Sequence, residues 1–364
     1  MSIDWQNVRR LLVVRLRSIG DTVLATPSLI ALRRFLPDAQ IDILLEDPVA
    51  GVLAGLDDVN VIGLPTRKSV RVEGGALSRR DVLFARAITV WFLREQKYDV
   101  AFNLHGGTTG TFFTFASGAR HRVGYREYQY SFLYNHLLSS SADFWHRSPT
   151  HSAEQQLALL GFVGVPVEDR PKSRLAVDSL AAEWLEKKFR AKTQISLAEF
   201  GRFALIHPAA AFKTKRWAAE NFARVAEFLS ERGCRTVAVA APGERGVLEA
   251  LHRGSRASVV AFDDLSLPEI TALASKASLF VGNDSGIAHI AAAVNTPTVV
   301  IFGSSNVDHW RPWTDAPNEI VRNPLDCQPC AGYECRAFGE PRCILDVSVA
   351  AVESAIRRVL ERSK

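Results

Sequence analysis

The chain has 364 residues, 47% of them hydrophobic, and a formal net charge of +5. That is enough apolar residue for about two ordinary cores, which excludes a disordered chain. The longest apolar runs fall well short of the roughly 20 residues a membrane-crossing helix needs, and the mild positive charge suits an anionic substrate or surface without a nucleic-acid-binding block. In chain order, "RRLLVVRL" (9–16) predicts a buried strand, "TVLATPSLIALRRFL" (22–36) one amphipathic helix, "AQIDILLE" (39–46) a strand and "PVAGVLAGL" (48–56) a short helix. "VNVIGLP" (59–65) and "YDVAFNLHG" (98–106) continue the strands, with a helix in "ARAITVWFLREQ" (85–96) between them. Strands alternating with helices imply a parallel sheet covered on both faces.

Proline, charge and glycine accumulate over 161–178, which predicts a domain linker. A second series follows: "RFALIHP", "TVAVAAP", "SVVAF", "ASLFVGN" and "TPTVVIFG", each separated from the next by a helical stretch. The expectation is an α/β protein of two doubly wound, Rossmann-like domains facing across a cleft: 1–175, 176–346, and a C-terminal amphipathic helix in 347–364. The opening residues lack a signal-peptide pattern, so a cytoplasmic chain with reduced thiols is expected.

Ligands of doubly wound sheets bind beyond the carboxyl ends of the strands. In "HPAAAFKTKRW" (207–217) small residues expose backbone amides before Lys213, Lys215 and Arg216, a combination suited to a diphosphate; a solvated basic loop reads equally well. In "LFVGNDSGIAHIAAAV" (279–294) a helix opens at Ser285 and Gly286, where unpaired amides and the positive dipole end favour an anion. Asp284 there is also readable as a simple N-cap, and His289 as a core histidine. Glu244 in "APGERGVLEAL" is placed to accept from ribose hydroxyls, or is an ordinary helix-start glutamate. The first turn, "RSIGDT", lacks the G-x-G-x-x-G spacing of a dinucleotide site, and Asp21 at its helix start would repel a pyrophosphate. The phosphate is therefore assigned to the second domain, and Asp21 faces the cleft from the first.

With these residues assembled, the sequence resembles glycosyltransferase family 9, the heptosyltransferases of the lipopolysaccharide inner core. The stretches that carry the resemblance are "VRLRSIGDTVLATPSLIALRRFLPDAQIDIL", "YDVAFNLHG", "HPAAAFKTKRWAAENFARVAEFL" and "LFVGNDSGIAHIAAAVNTPTVVIFG". The resemblance implies a GT-B architecture and metal-independent, inverting transfer from an ADP-sugar to a phosphorylated glycolipid (lipid A-core) acceptor, with no cofactor needed for catalysis. It matches Asp21 to the catalytic aspartate, Lys215 to the phosphate-binding lysine, Glu244 to the ribose-binding acid, and Asp284, Ser285, Gly286 and His289 to the donor-binding helix start. Gly20, Arg67, Lys68, Asn103 and His105 are the acceptor-side candidates, with Arg71, Arg79 and Arg80 in or beside the same basic loop; a solvated loop is the plainer reading of each basic residue alone. Two departures stand out. Ala209, Ala210 and Ala211 occupy positions where relatives carry Ser or Thr, and Asn103 and His105 occupy those of the usual Asp and Gln, which bears on the acceptor.

An enzyme of this kind would work peripherally at the inner face of the inner membrane. Alternatives are a sugar-nucleotide epimerase or hydrolase of the same architecture, or a non-catalytic binding protein, which Asp21 disfavours. Cys327, Cys330, Cys335 and Cys343, closely spaced, read first as a structural zinc site that would fix its segment while leaving donor affinity unchanged, with an Fe–S site or metal-free reduced thiols as the alternatives; Cys234 reads as a core thiol.

Overall fold

A computed structural model of the chain describes residues 2–69, 77–330 and 332–363. The chain divides after Ser173 into two units. In the first, β1 (Arg10–Val14), β2 (Gln40–Glu46), β3 (Asn60–Leu64), β4 (Val100–Asn103), β5 (His121–Tyr125) and β6 (His136–Leu138) form a parallel sheet in the order β3-β2-β1-β4-β5-β6. In the second, β7 (Phe203–His207), β8 (Arg235–Val239), β9 (Val259–Phe262), β10 (Leu279–Asn283), β11 (Thr298–Phe302) and β12 (Asn318–Arg322) form another, in the order β12-β11-β10-β7-β8-β9. Both orders turn back at the first and fourth strands of their unit, so each sheet has one switch point: β1/β4 and β7/β10.

The central strands are apolar on both faces because helices cover both: β4, β7, β10 and β11 are buried at every residue. Leu12, Val14, Leu44, Leu93, Tyr98 and Phe113 form a core cluster in the first unit. In the second, Trp217, Phe222, Val281 and Ile301 share a core with Ile344 and Ile356.

Three elements differ from expectation. The stretch 22–36 is not one helix: Ile19–Val23 and Thr26–Phe35 are separate, because Pro27 stands in the first turn of the second and lacks the amide a continuous helix would use. The helix over 85–96 begins earlier, at Arg79, where Ser78 and Asp81 form a capping box. The C-terminal helix Val349–Arg362 buries Val352, Ala355, Ile356 and Val359 in the second unit's core and so belongs to that unit.

Candidate active site

At the β1/β4 switch point, Ser18 caps the short helix Ile19–Val23 and Asp21 is its third residue, which explains locally why an acid stands there. Asp21 Oδ2 accepts from the Ser18 amide at 3.2 Å and from its hydroxyl at 3.0 Å. Its Oδ1 is ion-paired with the Arg15 guanidinium. Arg15 follows β1, is nearly buried, and donates to the Leu104 carbonyl beyond β4 at 2.5 Å. The carboxylate is thus fixed at both oxygens yet keeps partial exposure.

Asn103 ends β4. Its Oδ1 accepts from the amides of His105 and Gly106, both at 3.0 Å, and its Nδ2 donates to Tyr134 Oη at 2.6 Å. Tyr134 in turn donates to Thr111 at 2.9 Å. Asn103 is therefore a fully buried brace for the turn, correcting its expected role as a direct acceptor contact. His105 lies among Arg15, Arg17 and Asp21. Its partial burial and the two guanidiniums push its pKa down to about 4 against the opposing pull of Asp21, so the imidazole is neutral at physiological pH. Gly20 is buried in the turn helix. Arg67 and Lys68 are exposed in the turn after β3, and Arg79 and Arg80 in the first turn of the helix Arg79–Glu95. Arg71 lies outside the described residues.

At the β7/β10 switch point the turn 208–217 is fixed by Asn283 at the end of β10: its Nδ2 donates to the Pro208 carbonyl at 2.8 Å and its Oδ1 accepts from the Trp217 amide at 3.1 Å. Arg216 Nε donates to the Ala210 carbonyl at 2.5 Å. These contacts hold Lys215 with Nζ 2.8 Å from Asp284 Oδ2, which also accepts from Ser305 Oγ at 2.5 Å. Asp284 is not the helix cap. Ser285 takes that place for Gly286–Ala293, and its hydroxyl lies 3.1 Å from His207 Nδ1. Burial pushes His207 down to about 4. His289 is buried within this helix. Glu244 accepts from the Ala241 amide at 3.3 Å and stands 3.9 Å from Arg216, so it serves its own turn and faces the basic loop as well.

The four clustered cysteines line one cavity of about 260 Å³ together with Thr214 and Ser304. Burial and the neighbouring thiols push Cys343 up to about 11. Among the described residues, no three His, Cys, Asp or Glu side chains are gathered closely enough to hold a metal ion. The cysteine segment packs against the turn 208–217. Thr214 Oγ1 donates to the Gly332 carbonyl at 3.0 Å and accepts from Ser304 at 2.9 Å, Cys330 N donates to the Ser304 carbonyl at 3.0 Å, and Tyr333 packs edge-on against Phe212 at 4.5 Å.

Sequence reasoning missed Arg15, Tyr134, His207, Thr214 and Ser305. Arg15 had a signal, a second arginine in "RLRS" beside the acid; the others act through contacts between distant stretches.

The sequence profile of glycosyltransferase family 9 (heptosyltransferase) matches residues 90–339. The chain belongs to glycosyltransferase family 9. The matched region covers the β4, β7 and β10 turns, and Asp21 precedes it. Among relatives of this family-9 chain is lipopolysaccharide heptosyltransferase 3 of Escherichia coli, 29% identical over 314 residues, covering 82% of this chain and 85% of the relative. A glycosyltransferase family 9 structure from Veillonella parvula superposes with a TM-score of 0.81 at 18% identity, covering 100% of this chain and 99% of that one. E. coli ADP-heptose LPS heptosyltransferase II gives 0.75 at 19%, covering 97% and 99%. These likenesses show the α/β, GT-B fold of the heptosyltransferases.

Proposed function

We propose that this family-9 glycosyltransferase moves a heptose from an ADP-activated donor to a phosphorylated lipopolysaccharide-core acceptor, inverting the anomeric carbon without a catalytic metal. The observation that carries the reading is Asp21, a carboxylate fixed through both oxygens at a switch point where a nucleotide-binding turn would need to be free of negative charge. In this account the first unit receives the acceptor. As the acceptor hydroxyl attacks the anomeric carbon, Asp21 takes its proton and the bond from that carbon to the diphosphate oxygen breaks. A single displacement inverts the centre. ADP leaves with increased negative charge, which Lys215 and the amides opening Gly286–Ala293 offset.

Support for an ADP-heptose donor also comes from the relative whose name carries it. Lys215 is held by Asp284, which Ser305 steadies in turn, so a diphosphate meets an oriented cation. Neutral His105 adds a hydrogen-bonding group beside Asp21 without another charge. Asp21→Ala tests the assignment: turnover should fall by about 10²–10⁴, the effect of losing a general base, while ADP affinity measured by calorimetry stays within about twofold. Turnover near wild type removes Asp21 from the chemistry.

A further inference from the structure

A helix on the surface of a globular unit hides its apolar stripe and shows a polar face. The helix Arg79–Glu95 does the first and not the second. Val82, Thr89 and Leu93 point into the unit. On the outer side Leu83 is 69% exposed, Phe84 71%, Ile88 50% and Trp91 65%, one strip at helical spacing. Between Asp81 and Arg94 the only charge is Arg86, whose Nε is tied to the Pro65 carbonyl at 3.0 Å. The helix Gly107–Ala116 packs alongside and adds half-exposed Phe112. A contiguous apolar surface of this kind marks an interaction site.

Its ends are cationic. Arg79 and Arg80 stand in the first turn, where positive charge opposes the helix dipole and gains nothing locally. Arg67 and Lys68 lie in the turn after β3, and Arg94 and Lys97 flank exposed Glu95 at the other end, so that with Asp81 counted both ends stay net positive, the Arg79–Arg80 end more strongly. Because the helix leads from β3 back to β4 in a parallel sheet, its Arg79–Arg80 end lies toward the carboxyl ends of the strands, the side on which Asp21 and His105 follow β1 and β4. No helix among the described residues is long and apolar enough to cross a membrane.

We infer that the outer face of Arg79–Glu95 docks this chain on an anionic lipid surface, Leu83, Phe84, Ile88 and Trp91 entering the headgroup boundary while the flanking arginines and lysines meet acidic headgroups. The inference rests on the proposed lipid-borne acceptor. Aromatic and aliphatic side chains between basic ends are the pattern of a helix lying in the interface plane. A second copy of the chain would bring like charges together at the same rim, whereas a negative bilayer complements them.

Sedimentation with vesicles tests it. Wild type should bind phosphatidylcholine–phosphatidylglycerol vesicles and not phosphatidylcholine alone. Phe84→Ser/Trp91→Ser should weaken binding at least about tenfold. Arg79→Gln/Arg80→Gln should weaken it about thirtyfold, at about tenfold per 1.4 kcal/mol, with less salt dependence. Both variants should melt as wild type does, since the changed side chains are exposed. Equal vesicle binding by wild type and variants overturns the inference. So does a dimeric wild type that becomes monomeric in Phe84→Ser/Trp91→Ser and binds no vesicles. Transfer to a deacylated, water-soluble core acceptor should be the same in wild type and Phe84→Ser/Trp91→Ser; if neither transfers while vesicle binding follows the pattern above, the docking surface stands and the proposed reaction falls.

Discussion

Lys215 and Asp284 are best understood as a pair. The Asp284 carboxylate is almost entirely buried, and Lys215 and Ser305 satisfy it. In the proposed reaction, Lys215→Ala therefore removes the cation that meets the leaving group, and it also strands a buried acid. Donor KM should rise and kcat fall together, and the melting free energy should drop by about 1–3 kcal/mol. Adding Asp284→Asn should recover stability but not turnover, which calorimetry and steady-state kinetics on the double variant would check. His207 gives a second residue-level expectation. Its folded pKa, about 4, lies below the ordinary 6.5, so the unfolded chain binds the proton first as pH falls. Stability is complete above pH 6.5 and is lost between 6.5 and about 4, by about 3 kcal/mol for a shift of this size. His105, shifted the same way, adds a smaller contribution because it is partly solvated. His207→Asn should flatten the fall of melting temperature over that window; an unchanged slope would take His207 out of the acid sensitivity.

The turn that carries Lys215 is braced from outside by the cysteine segment, and the contact is narrow. Thr214 reaches the Gly332 carbonyl and Ser304, and Gly303 leaves room for the Thr214 carbonyl where a Cβ would collide. Thr214→Val should thus raise donor KM several-fold at a stability cost of about 1–2 kcal/mol, because two buried hydrogen bonds lose their partner. An unchanged KM would mean that the segment stabilises the unit without shaping the donor turn. This coupling was not legible in the sequence, since more than a hundred residues separate Thr214 from Gly332, and neither the basic turn nor the cysteine cluster signals that it packs against the other. Asp21 was legible because its turn has a local pattern: a strand, one glycine and an acid at a helix start. Its partner Arg15 left only a local hint, an arginine pair in "RLRS" shortly before the acid, because an ion pair made across a turn leaves no periodic pattern. The central strands were readable for the reason they are central, being apolar on both faces. β5, β6 and β12 were not: β6 has three residues, and β12, at the sheet edge, is mostly half-buried and carries Glu319 and Arg322.

At the scale of the whole molecule, the chain uses one plan twice. Each unit has six parallel strands with the same order about its own switch point, and the two differ in what the sequence places there. The first has an acid fixed by Arg15 and Ser18; the second has small residues, a lysine and an alanine-rich helix opening at Ser285. That division is what the proposed transfer requires, a hydroxyl activated at one turn and a diphosphate neutralised at the other. It also predicts that leaving-group stabilisation comes from protein groups alone, so dialysis against EDTA should leave kcat unchanged; loss of transfer restored by Mg²⁺ would contradict this. The proposed reaction is direct displacement of ADP by an acceptor hydroxyl with Asp21 as base. Its most direct test is the anomeric configuration of the product, read by NMR after reaction of ADP-heptose with a heptose-deficient core acceptor. The account predicts one heptose added per ADP released, its anomeric centre opposite to that of the donor; retained configuration, or ADP released without sugar transfer, would contradict it.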